Sequence, residues 1–116
     1  MKFLNKYFAT NNAGQVCIKA SQASKFAKMI ANDFNPIHDE NSKRFCVPGD
    51  LLFAIALQKY GLHNKMVFQF LELIKAETPL TYPAYPNANS MQLDVLNDKE
   101  KPVLGIHGSV ATYLNA

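Results

Sequence analysis

Leu51-Leu52-Phe53-Ala54-Ile55-Ala56-Leu57 is seven apolar residues without a break, and no other stretch limits the fold as much. Apolarity alone allows a buried strand. Leucine and alanine, however, are helix formers, Gly61 stands where a helix would stop, and Asp50 or the loop before it can cap the start. A helix over 50–60 is therefore expected, about 16 Å long. A helix that is apolar all round has to be buried nearly all round. The remaining chain must supply that cover.

Most of the cover reads as antiparallel strand. Asn11-Asn12-Ala13-Gly14 is a turn signal before a short strand at Gln15–Lys19. Ser21 offers an N-cap for a helix to about Asn32, with Ala23, Phe26, Ala27, Met29 and Ile30 at helical spacing. Pro36 bars helix at the residue before it, so 33–39 reads as an irregular loop. Beyond Gly61, Met66–Ile74 has the β-branched and aromatic content of a long strand. Pro79, Pro83 and Pro86 make the next segment an edge or an excursion, with Thr81–Tyr85 as a short strand. Met91–Leu96 alternates cleanly, and Val103–Leu114 is expected as the last strand, its Gly105 and Gly108 marking bends or close backbone approach. The order predicts an α+β fold. A chain of 116 residues without an obvious linker is expected to form one domain over 1–116.

The net charge of +3 comes from scattered lysines, only Lys43-Arg44 and Lys99-Glu100-Lys101 being clustered. A nucleic-acid binder concentrates such charge on one face, so no nucleic-acid partner is expected. No stretch approaches the ~20 apolar residues of a membrane span. The N-terminus is interrupted by polar residues too early for a signal peptide, and a cytoplasmic location is expected. Cys17 and Cys46, in no metal-binding or redox spacing, read as two buried free thiols. Three dispersed histidines give no metal set. His63 and His107 read as capping or surface residues, and Asp39-Glu40 as a solvated acidic step.

One segment carries more chemistry than the rest. Asp33-Phe34-Asn35-Pro36-Ile37-His38 follows a helix bearing Phe26-Ala27, and is followed by Glu40, Arg44-Phe45 and the apolar helix. Taken singly, Asp33 and Asn35 are ordinary turn residues and His38 a structural histidine. As a set they resemble the MaoC-like, (R)-specific enoyl-CoA hydratases. That resemblance implies a hot-dog fold, an antiparallel curved sheet wrapped around a buried central helix. It implies an acyl-CoA or acyl-carrier-protein hydratase/dehydratase (a lyase of fatty acid metabolism) that adds or removes water at a 2-enoyl/3-hydroxyacyl thioester. It further implies a homodimer and no cofactor. Asp33 would be the principal base and His38 would orient the water. Asn35 and Pro36 would hold the loop, and the Gly49 N–H would meet the thioester oxygen.

The chemistry needs such groups, since a water must lose a proton as it attacks the β carbon and the thioester oxygen must find donors. In one place the chain departs from the family. Where members carry Pro-x-x-His-Gly-Met, this chain reads Val47-Pro48-Gly49-Asp50-Leu51-Leu52, and a carboxylate at Asp50 opposes a developing oxyanion. The alternative is thus a catalytically inactive hot-dog domain that binds acyl thioesters or acts as an assembly module. Thioester hydrolysis on the same fold is a third reading. A pocket filled by Phe53 or Tyr60, or an Asp33 and His38 that point apart, would argue against an enzyme.

Overall fold

The computed structural model describes residues 2–63, 65–84, 90–109 and 113–114. A 3₁₀ turn at Lys2–Lys6 leads into a hairpin of β1 (Ala9–Thr10) and β2 (Val16–Cys17). Gly14, at φ 80°, makes the turn, and Asn11 Oδ1 accepts from the N–H groups of Ala13 and Gln15 at 3.0 and 2.9 Å. Helix α1 (Ala20–Met29) is followed by a 3₁₀ turn at Pro36–His38 and by α2 (Gly49–Tyr60). The other strands are β3 (Leu62–His63), β4 (Met66–Phe70), β5 (Ser90–Leu96), β6 (Pro102–Ser109) and β7 (Tyr113–Leu114). All strand pairings are antiparallel: β1 with β2, β3 with β7, and β6 between β4 and β5. Two single-residue bridges, Val16 to Leu80 and Thr81 to Leu96, tie the N-terminal hairpin to β5 through residues 80 and 81.

The apolar run is the helix its composition predicts, one residue longer at its start. Leu51, Leu52, Ile55, Ala56 and Tyr60 are buried, whereas Phe53, Ala54 and Leu57 remain half-covered. Its core partners come from every layer: Val16 and Ile18, Phe26, Leu80, Val95, and Val103, Leu104 and Ile106 of β6. Each large apolar side chain buried this way contributes about 1.5–3 kcal/mol. The helix stops at Gly61, whose φ of 78° suits glycine.

Several expectations need correction. Helix α1 starts earlier than Ser21, where Gln22 Oε1 accepts from the Lys19 N–H at 2.9 Å, and it ends at Met29, before Asn32. Ser21 therefore lies inside the first turn. Ala23, Phe26 and Ala27 are buried as expected, but Met29 and Ile30, at the frayed end, face solvent. Strand β4 stops at Phe70 rather than Ile74. The chain then turns so that Ile74, buried, accepts from the Val47 N–H at 2.8 Å.

The expected strand at Thr81–Tyr85 reduces to the two bridges at Leu80 and Thr81, and Tyr85 lies outside the described residues. The last strand is described from Pro102 to Ser109; positions 110–112 also lie outside the described residues, and Tyr113–Leu114 pairs with β3. Gly105 and Gly108 both sit in regular register without a bulge, and a Cβ at Gly105 would meet only ordinary contacts. The irregularity falls on β5 instead, between Val95 and Leu96. Cys17 is only half-buried, Cys46 is buried, and both are free thiols.

Candidate active site

The end of α1 aims the first site residue. The Ala31 N–H donates to the Phe26 carbonyl at 3.1 Å and the Asp33 N–H to that of Ala27, which widens the last turn. Asn32, at φ 53°, adopts the left-handed conformation that asparagine tolerates and reverses the chain. From Asp33 onward, side chains replace the missing helical hydrogen bonds. Asp33 Oδ1 accepts from the Asn35 N–H at 3.0 Å, and Asn35 Oδ1 accepts from the Ile37 N–H at 3.1 Å. Pro36 opens the 3₁₀ turn, where its preset φ is suited and its missing N–H is not needed.

This loop brings Asp33 and His38 together. Asp33 Oδ2 lies 3.4 Å from His38 Nε2, with 34% of the Asp33 side chain exposed and 12% of the His38 side chain. His38 Nδ1 is 2.8 Å from the Cys46 carbonyl. A carbonyl only accepts, so Nδ1 carries hydrogen and Nε2 is the nitrogen turned to Asp33. The Cys46 Sγ lies 3.8 Å from the same Nδ1. Burial, and secondarily the Asp33 charge, pushes the Cys46 thiol above its ordinary pKa, so the sulfur is kept as a thiol rather than a nucleophilic thiolate. The acidic step beyond is not wholly free, because Asp39 Oδ1 pairs with Lys28 Nζ at 2.9 Å.

Asp33 lines a cavity of about 390 Å³ together with Gly49, Asp50, Phe53, Phe68 and Phe70. The N–H groups of Gly49 and Asp50 donate to no acceptor among the described residues, as expected at the first turn of a helix. Space there is tight: a Cβ on Gly49 would stand 3.0 Å from the Phe70 ring. Phe53 and Phe68 pack edge to face with centroids 4.5 Å apart and form an apolar wall. Phe53 thus lines the cavity rather than plugging it. Tyr60 lies apart, its hydroxyl donating to the Pro83 carbonyl at 2.6 Å.

Gly49, Asp33 and Asp50 therefore meet at one cavity, with His38 reaching it through Asp33. Asn35 and Pro36 stay in the supporting loop. His107 is exposed, and the His63 side chain lies outside the described residues. Three contributors are not legible in the sequence. The Cys46 carbonyl is a main-chain atom and leaves no trace in residue type. Phe68 and Phe70 read only as strand residues. No group of three or more His, Cys, Asp or Glu among the described residues is placed to hold a metal ion, and no described helix is long and apolar enough to cross a membrane.

No curated protein matches the sequence. Among four chains of solved structures that do match in shape is the R-hydratase PhaJ1 from Pseudomonas aeruginosa in its unliganded form. The TM-score is 0.57 and the identity 18%, over 80% of this chain and 73% of that one. That likeness shows a shared fold, hot-dog-like and α+β with antiparallel strands and few helices. Residues 2–115 match a family model, and the chain belongs to that family, described as "Protein of unknown function (DUF3581)".

Proposed function

We propose that the chain is a MaoC-like hot-dog domain, its sheet wrapped around α2, that hydrates or dehydrates acyl thioesters. One observation carries the reading: a tethered carboxylate, with a tethered imidazole 3.4 Å behind it, lines a cavity that also holds an open helix N-terminus. Asp33 takes a proton from water as the water oxygen bonds to the β carbon. His38 Nε2, fixed by the bond from Nδ1 to Cys46, holds the water and shares the proton. The π electrons of the double bond end in a new C–H bond at the α carbon. Acid–base help of this kind is worth about 10²–10⁴-fold. Negative charge on the thioester oxygen is met by the Gly49 N–H at the positive end of α2.

Hydration of crotonyl-CoA, followed as loss of its conjugated absorbance, is the test. Wild type is expected to turn over and Asp33→Asn and His38→Ala to lose most of the rate. The second reading, a non-catalytic domain that binds acyl thioesters or serves in assembly, is favoured by Asp50, whose carboxylate shares the cavity. If wild type and Asp33→Asn were equally inert while an acyl-CoA still raised the melting temperature, that reading would replace the first.

The proposal includes a homodimer and a cytoplasmic setting without cofactor. Among the described residues β4 pairs only with β6, leaving an open edge, and Val67, Phe70 and Leu71 are exposed along it. A second copy would cover such an edge. A monomer by sedimentation at micromolar concentration would remove that part of the reading.

A further inference from the structure

A second cavity, of about 600 Å³, lies beside the first and is walled by Lys43, Arg44 and Lys75 with Glu40, Phe45 and Leu73 prominent among the rest. Three cations face one acid there. None of the three forms an ion pair among the described residues, whose only pairs are Lys28 with Asp39 and His38 with Asp33. Neutral surfaces intersperse the two signs; an uncompensated set of cations around a concavity attracts an anion and holds it by charge-assisted hydrogen bonds. The floor is different in kind. Phe45 is half-buried against the core and Leu73 is 77% exposed, so both present apolar surface beside the cations.

The same two segments wall both cavities. Phe45 and Gly49 belong to one, Leu73 and Phe70 to the other, and the Val47 N–H to Ile74 carbonyl bond holds the segments side by side. Phe45 and Gly49 are four positions apart, so these two wall residues lie within about 14 Å of each other.

We propose that this second cavity binds the phosphorylated nucleotide end of a ligand whose other end reaches the Asp33 cavity. The phosphates sit among Lys43, Arg44 and Lys75, and the flat base lies over Phe45 and Leu73. The spanning part rests on the thioester reading; the nucleotide site does not. It also commits to a thioester on a free nucleotide carrier rather than on a carrier protein, whose prosthetic arm has phosphate but no base.

The test is calorimetric titration of the whole chain with adenosine 3′,5′-bisphosphate at low salt, with adenosine, inorganic phosphate and 4′-phosphopantetheine as separate arms. The bisphosphate is expected to bind one to one and more tightly than the other three. Arg44→Ala and Lys75→Ala, both exposed or part-exposed positions checked for folding by circular dichroism, should each weaken it at least about fivefold. With crotonyl-CoA they should raise KM and spare kcat, and leave hydration of crotonyl-N-acetylcysteamine unchanged. Equal binding of phosphate or phosphopantetheine, no bisphosphate binding, or binding indifferent to both substitutions would each overturn the proposal. Nucleotide binding without any hydration would sink the hydratase reading and keep this one; hydration without nucleotide binding would do the reverse.

Discussion

The loop 33–38 and the first turn of α2 face the same cavity, yet they are built in opposite ways. In the loop the key polar groups are tied: Asp33 to the Asn35 N–H and to His38, Asn35 to the Ile37 N–H, His38 to the Cys46 carbonyl. At the helix start the N–H groups of Gly49 and Asp50 are left open, and an aromatic ring is pressed against Gly49. The loop spends its polar atoms on its own geometry. The helix start relies on the buried Leu51, Leu52 and Ile55 behind it for its position, and so leaves its donors unused. Orientation and binding capacity are thereby separated within one site.

The sharpest way to break this contrast is Asp33→Asn, which keeps the shape of the loop and removes the base. Turnover should fall by about 10²–10⁴-fold with a melting temperature near that of wild type, as read by crotonyl-CoA hydration and a thermal scan. Ile55→Ala attacks the other side. It should cost about 2–5 kcal/mol in a urea titration because the cavity it leaves lies in the core. Asn35→Ala removes the cap of the 3₁₀ turn, with an expected loss of about 0.5–2 kcal/mol and a larger fall in kcat than in stability.

Alkaline pH separates core from loop more gently. Burial raises the pKa of both Tyr60 and Tyr82, so the folded state keeps protons that the unfolded chain releases. Their contribution is fully present below about 10 and is lost as pH climbs above it, and Cys46 begins the same trend from about 9. The urea midpoint should hold up to pH 9 and decline beyond. Tyr82→Phe should flatten that decline, at a cost of about 0.5–1.5 kcal/mol for its hydrogen bond to the Leu52 carbonyl. Smallest of all, Lys28→Ala should shift stability by about 1 kcal/mol or less, since the pair with Asp39 is solvent-exposed.

Legibility followed the same division. The apolar run from Leu51 to Leu57 had one physical solution, and the helix is there. The local bonds of Asp33 and Asn35 are encoded by residue types that cap turns, so the loop could be read too. What lay hidden depended on distant chain segments. Ile74 looked like strand, but its carbonyl is claimed by Val47. The basic cavity joins the Lys43-Arg44 pair to Lys75, which is far from it in sequence, so the three read as solvated surface.

The two bridges at residues 80 and 81 bear on how the chain assembles. Val16 waits for Leu80, and Thr81 for Leu96, so the first hairpin joins β5 only after a long loop has closed. Loop-closure entropy of that kind slows folding, and topologies dominated by distant antiparallel pairing fold in milliseconds to seconds rather than microseconds. Helix α2 and the β5–β6 hairpin, with their nearer contacts, are the parts able to form first. On a ribosome the β1–β2 hairpin has no bridge to Leu80 until that residue has emerged, so its outer edge at Val16 stays uncovered for that part of synthesis.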